Sequence, residues 1–238
     1  MARRKWIVAA VVVGFSAVVG VTFALSAAVE RVRESAARVH CNLAQVGLAF
    51  HNYADSHEGN LPPAAVCAPD GRPLLSWRVL ILPYIEEEPR FKQFKMDEPW
   101  DSEHNLKLLD GMPKTYAAPW KKIVDIPPNH TVLHVFVGKG AAFEWNRGLN
   151  LKTDFPDGSS ETLLYVEGGS PVPWTKPEEI PFEPDQPINC RGLFKSGARS
   201  GTVDGHGYRI IPNDCDQEIL RAAITRDGGE KLKLPWDP

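Results

Sequence analysis

No two of the four cysteines, Cys41, Cys67, Cys190 and Cys215, form a CxxC pair, so the spacing that builds a small zinc site is missing. One or two disulfides are open to such a set if the chain works outside the cytoplasm, but the order of the cysteines does not give a pairing. Basic charge is scarce as well. The formal net charge is −3, and −6 once Arg3, Arg4 and Lys5 are set aside, which leaves no clustered cations to hold a phosphate backbone. No nucleic-acid partner is expected. The phosphate-cradling GxxxxGK, the dinucleotide-binding GxGxxG after a strand and the nucleophile elbow GxSxG are also absent. Ser200 stands in GxxSG instead, so nucleophilic catalysis has no recognisable footing.

What is present is first an apolar run. Residues 6–28, WIVAAVVVGFSAVVGVTFALSAA, contain no charge; as a helix they would extend about 34 Å, enough for a hydrocarbon core of about 30 Å. The basic start and the small residues Ser26 to Ala28 have the look of a cleaved signal, but the run exceeds the roughly 7 to 15 residues of a signal core. An uncleaved single-pass anchor is therefore expected. Arg3, Arg4 and Lys5 precede the span and Arg31, Arg33 and Arg38 follow it. Acids count for little in the positive-inside rule, but the first cluster is undiluted by them and sits beside the free amine, so the expected orientation has the N-terminus in the cytoplasm and the bulk outside. The expected organisation is a cytoplasmic basic N-terminus over residues 1–5, a transmembrane helix over 6–28, an amphipathic extension over 29–58 and an extracytoplasmic α+β head over 59–238.

Beyond the span, Leu25, Val29, Val32, Ala36, Val39, Leu43, Val46, Phe50 and Tyr53 recur in steps of three and four. This predicts one apolar stripe on a helix, which must bury itself against something outside the membrane. Gly59 and Pro62-Pro63 end the rod. A second helix is expected in LLSWRVLILPYIEEE, capped by Ser76 and interrupted at Pro83, and a third in WDSEHNLKLLDGMP, capped by Asp101 or Ser102, with Leu106, Leu108 and Leu109 packing inward. Three β-rich runs follow: residues 131–138, residues 161–169 after the Asp157-Gly158 turn, and residues 201–212 folded as a hairpin about Asp204-Gly205. A short helix from Asp216 to about Arg226 closes the chain. With 43% hydrophobic and 24% charged residues the head is globular, and 21 prolines make many of its connections extended or turned.

Several residues invite a site reading. His57-Glu58 begins like HExxH, but Gly59, Asn60 and Leu61 follow in place of the helix and second histidine, and His51 lies six residues away on another face. These two histidines, Glu58 and Cys41 are read as side chains near a helix end. Asp154, Asp157, Ser159 and Glu161 offer oxygens at alternating spacings that could surround calcium, without the terminal pattern of an EF-hand. The turn at Asp157-Gly158 accounts for the same residues. Asn129 begins the sequon NHT, a chance-level match. Trp77, Trp100, Trp120, Trp145 and Trp174 could line a glycan-binding face, although large aromatics more often serve the core. No catalytic, cofactor-binding or metal-binding residue is assigned, and no cofactor is expected.

The runs ESAARVHCNLAQVGLAFHNYADSHEGNLPPA, DGRPLLSWRVLILPYIEEEPRFKQFKMDEPWDSEHNLKLL, DGSSETLLYVEGG, VPWTKPEEIPF and LRAAITRDGGE, taken together, resemble the DUF1559 proteins abundant in Planctomycetes. That resemblance covers about Glu34 to Glu230. It implies a pilin-like or type II secretion pseudopilin-like N-terminus, a long transmembrane and amphipathic helix packed on an antiparallel sheet, and no established enzymatic activity. The sequence departs from the family pattern twice. The prepilin sequence GFTL[IV]E is not present, since Gly14-Phe15-Ser16 and Gly20-Val21-Thr22 are followed by no glutamate before Glu30. In the family's C-terminal motif of His, nine residues and Asp-Gly, Phe194 stands where the histidine would precede Asp204-Gly205.

The expectation is therefore a non-enzymatic, membrane-anchored, pilin-like envelope or surface protein. Its partners are the lipid bilayer, through the N-terminal helix, and proteins or other copies of itself in the envelope. The alternative is an extracytoplasmic module that binds glycan or calcium.

Overall fold

Leu43, Val46, Ala49, Phe50 and Ala54 are all at most 4% exposed, and their spacing is that of one face of the helix α1, residues 40–56. The computed structural model describes residues 25–31, 33, 34, 37, 40–118, 125–190, 192, 197–205 and 208–229. Two compact units divide the chain after Val39. In the first, the described residues are helical, and Leu25 and Val29 of the predicted stripe are exposed rather than buried. Val32, Ala36 and Val39 lie outside the described residues, as does the predicted span over 6–28 apart from residues 25–28. Among the described residues no helix is long and apolar enough to cross a membrane.

The second unit begins at His40, so α1 belongs to the head. Its end is set by backbone geometry. Glu58 and Gly59 both take left-handed angles, φ 58° and 83°, and the Gly59 N–H donates 2.8 Å to the carbonyl of Ala54. Glycine adopts this conformation without steric cost. The chain then forms a small antiparallel pair, β1 (Ala65–Cys67) with β2 (Pro73–Ser76). Leu74 and Leu75, ahead of the predicted cap, belong to β2. At the predicted position Ser76 caps α2 (Trp77–Leu80), accepting from the Arg78 N–H. A 3-10 turn at Leu82–Ile85 carries Pro83, and α3 (Glu88–Phe91) follows.

The third expected helix is a 3-10 segment, Asn105–Gly111. Its inward residue is Asn105, which is fully buried, while Leu106 is 46% exposed. The reason is polar. The Asn105 amide donates to the carbonyls of Lys95, Glu98 and Pro99 and accepts from the Lys95 N–H, closing a loop whose backbone would otherwise lack partners. The Ser102 hydroxyl accepts from the Asn105 N–H at 3.1 Å, but the residue at the N-cap is His104, without a side-chain capping bond, so neither Asp101 nor Ser102 holds the predicted cap position.

The main sheet has four antiparallel strands in the order β3 (His130–His134), β5 (Leu163–Pro173), β7 (Ala198–Thr202) and β8 (Tyr208–Ile211). Beside it, β4 (Phe136–Val137) pairs in parallel with β6 (Ile180–Pro181). Val135 divides the expected run 131–138 between β3 and β4. The predicted hairpin about Asp204-Gly205 is formed by β7 and β8, with Gly201 opposite Tyr208.

Neighbouring residues of a strand face opposite sides of a sheet, and in β5 both sides are buried. Tyr165 turns toward α1, where its hydroxyl donates 2.6 Å to the Leu43 carbonyl and its ring lies 6.3 Å from that of Phe50. A Cβ on Gly201 would come within 2.3 Å of the Tyr165 ring, so only glycine lets β7 pass beneath it. Val166 faces a second core with Phe136, Phe182 and the buried face of α4 (Gln217–Ile224), namely Leu220, Ala223 and Ile224. Asp216 caps α4 by accepting from the Glu218 N–H at 2.7 Å, at the predicted start.

Candidate functional site

The residues read from sequence as site candidates are dispersed. His57 is exposed, stacked on Tyr53 at 3.8 Å between ring centroids, and its Nδ1 meets the Tyr53 carbonyl at 2.8 Å. His51 is half-buried on another face, and Cys41 is exposed. Asp154 accepts from Arg147 and from the Asn150 N–H, each at 3.0 Å, and these bonds hold its carboxyl below the usual carboxylate value. Asp157 accepts from the Gly229 N–H at 2.8 Å, while Glu161 is exposed. The acidic loop therefore spends its oxygens on turn and strap contacts. Among the described residues no group of three His, Cys, Asp or Glu is placed to hold a metal ion.

The tryptophans do not form a common face. Trp77 and Trp174 are fully buried and Trp145 is 39% exposed. Trp100 lies under the Lys176 ammonium, 5.8 Å from its ring centroid, and Trp120 falls outside the described residues.

A concave site does form where sequence reading placed none. A cleft of about 520 Å³ opens between the end of β3, the middle of β5 and the approach to β6, lined by His134, Gly169, Ser170, Glu178, Glu179 and Asn189 among others. Its inner wall is a buried polar cluster. Arg78 and Glu179 have no exposed side-chain surface and form an ion pair at 2.8 Å. The second guanidinium nitrogen donates to the other carboxylate oxygen at 3.1 Å, giving the two-pronged geometry in which arginine binds a carboxylate most strongly.

The remaining valences are filled. Ser76 Oγ accepts from Arg78 at 2.7 Å, the Val135 N–H donates to Glu179 Oε2 at 3.0 Å, and Arg78 Nε donates 2.9 Å to the Leu133 carbonyl, with a second bond from the terminal nitrogen to the same oxygen. The Arg78 guanidinium also lies 4.9 Å from the centre of the Trp77 ring. A buried ion pair offsets its desolvation only when satisfied in this way.

His134 completes the wall at 3% exposure. Its Nε2 stands 2.9 Å from the Ser170 carbonyl, and only a protonated nitrogen can make that bond, so Nε2–H donates. Nδ1 is buried without a hydrogen-bond partner and lies 3.6 Å from Glu179 Oε2. Chemically the polar groups exposed to the cleft are those of Glu178, Ser170 and Asn189, suited to holding a polar or cationic group, with Glu179 and His134 buried behind them. Among the described residues no nucleophile is held against a base in it.

A second, more polar cleft of about 510 Å³ lies at the end of α1, lined by Tyr53, Ser56, His57, Glu58 and Asn60 among others. Ser56 Oγ is bonded there to the Tyr84 hydroxyl at 2.6 Å.

Mixed helices and an antiparallel sheet make this an α+β protein. Residues 30–137 match the family model described as a protein of unknown function (DUF1559). The match supports membership of that family. No curated protein and no solved structure matches it.

Proposed function

We propose that this chain is a membrane-anchored, pilin-like envelope or surface protein, with its N-terminus in the cytoplasm and its head outside, acting by protein interaction or assembly rather than by catalysis. The observation that supports this reading most is the division of the apolar stripe. Leu43, Val46 and Phe50 are buried in the head, whereas Leu25 and Val29 are exposed, as the side chains of a helix facing lipid would be. Leu25 lies within the uncharged run over 6–28, and Val29 follows it directly. A 23-residue uncharged stretch without a membrane to enter would carry a large hydration cost.

Fractionation of cells expressing the full chain tests the reading. The protein should stay with membranes after carbonate washing and its head should be digested by protease added to spheroplasts. Recovery in the soluble fraction, or a head protected until the cells are lysed, would overturn it.

A second reading, an extracytoplasmic ligand-binding module, is favoured by the cleft beside Glu179 and by the unpartnered His134 Nδ1. Calorimetry with soluble glycans, simple amines and calcium addresses it. Heat of binding that is lost in His134→Phe would support the module, and no heat with any of them would count against it.

A further inference from the structure

The segment around Cys190 and the approach to α4 run antiparallel, joined by side-chain bonds in a regular register. The Ile188 N–H donates 2.8 Å to the Gln217 side-chain oxygen, and the Gln217 amide returns a bond to the Ile188 carbonyl at 3.4 Å. Four residues on, the Gly192 N–H donates 2.8 Å to the Asn213 side-chain oxygen. Residue 188 is thus opposite 217 and residue 192 opposite 213, and the midpoints of the two segments are Cys190 and Cys215. Ile188 and Cys190 both point into the core beneath α4, and Cys215 packs against that same core. From this register we infer that Cys190 and Cys215 are the disulfide-forming pair of this protein.

The other two cysteines lie on separate elements. Cys41 is exposed on α1, and the Cys67 thiol, on β1, is directed at the carbonyls of Ala65 and Trp145. In this structure all four are thiols. A bridge needs Cα atoms within about 4.4 to 6.8 Å, and Cys190 and Cys215 pack into one core beneath α4. That the Cys190 and Cys215 thiols feel each other electrostatically is consistent with this proximity.

Formation requires an external disulfide, glutathione disulfide or the active-site disulfide of a thiol oxidoreductase. The Cys215 thiolate, the less buried of the two, attacks the oxidant, forming a mixed disulfide and releasing one thiolate. The Cys190 thiolate then attacks Cys215 Sγ, forming the protein disulfide and releasing the second. The oxidant takes up the two electrons, and the two released thiolates take up the two protons. The closed loop contains β7 and the edge strand β8, and ties them to the start of α4.

The register does not depend on the extracytoplasmic location proposed above, although that location is where such an oxidant is found. The full chain, purified in detergent, would be refolded in a mixture of reduced and oxidised glutathione, alkylated with iodoacetamide, digested with trypsin and mapped by mass spectrometry. The expected product joins the peptide ending at Arg191 to IIPNDCDQEILR, lighter by two hydrogens, with Cys41 and Cys67 alkylated. The same link should form in Cys41→Ser/Cys67→Ser. Alkylation of both Cys190 and Cys215, or their pairing with any other thiol, would overturn the inference. A link that forms in vitro but is absent from protein isolated from cells would leave the pairing standing and count against the location.

Discussion

Arg78 and Glu179, separated by 101 positions in the sequence, meet in a two-pronged ion pair with no side-chain surface exposed. Arg78 lies in LLSWRVLILPYI and Glu179 in VPWTKPEEIPF, two of the runs that carry the family resemblance. The pair joins them through Ser76, Leu133 and Val135, so the start of α2, the break between β3 and β4, and the approach to β6 are held at one point. The wall of the larger cleft is built on that point.

Removing one partner leaves the other charged and buried. Glu179→Gln and Arg78→Met should each destabilise the head by about 3–5 kcal/mol in urea unfolding. Arg78→Met combined with Glu179→Gln should cost less than the sum of the single changes, because neither charge is then stranded. Strict additivity would mean that the two side chains do not interact as described.

Phe50 is fully buried, between Trp77 at 4.9 Å and Phe143 at 5.3 Å. Phe50→Ala should cost about 3–5 kcal/mol, and Val46→Asp with Phe50→Asp should abolish cooperative unfolding of the head. A wild-type melting temperature in the double aspartate variant would show that α1 is not part of the core.

Burial raises the carboxyl of Glu167 above its ordinary value, with Arg199, bonded at 3.2 Å, opposing the shift. The folded state therefore binds a proton more readily than the unfolded chain. As pH rises through the window from the ordinary carboxylate value to the raised one, the wild type loses stability. Glu167→Gln has no such titration. The melting temperature of the variant minus that of wild type should become more positive as pH rises through this window, and a flat or falling difference would contradict the assignment.

Burial also pushes the Cys190 thiol up to about 12, while Cys41 is exposed. In reduced, folded protein at mildly alkaline pH, iodoacetamide should label Cys41 first and Cys190 last, because the thiolate is the reacting form. Equal rates would indicate that the core beneath α4 is open.

Local rules made much of the head legible in the sequence. The spacing of Leu43, Val46 and Phe50 gave the buried face of α1. Ser76 and Asp216 marked helix starts, and Asp204-Gly205 marked the turn between β7 and β8. Where the reading departed, long-range polar contacts decided. Asn105 turns inward in place of Leu106 because carbonyls of the preceding loop accept from its amide. The cleft was hidden for the same reason: His134, Glu179 and Arg78 are far apart in sequence and carry no motif spacing. The available signal was a charge inside an apolar run, Arg78 in SWRVLIL, since a buried charge requires a partner.

The anchor is the centre of the functional account, and the native N-terminus tests it most directly. Mass spectrometry of protein taken from the membrane fraction should recover peptides that include residues 6–28. A mature chain in the soluble fraction, beginning just after Ala28, would contradict the account and make the apolar run a cleaved signal.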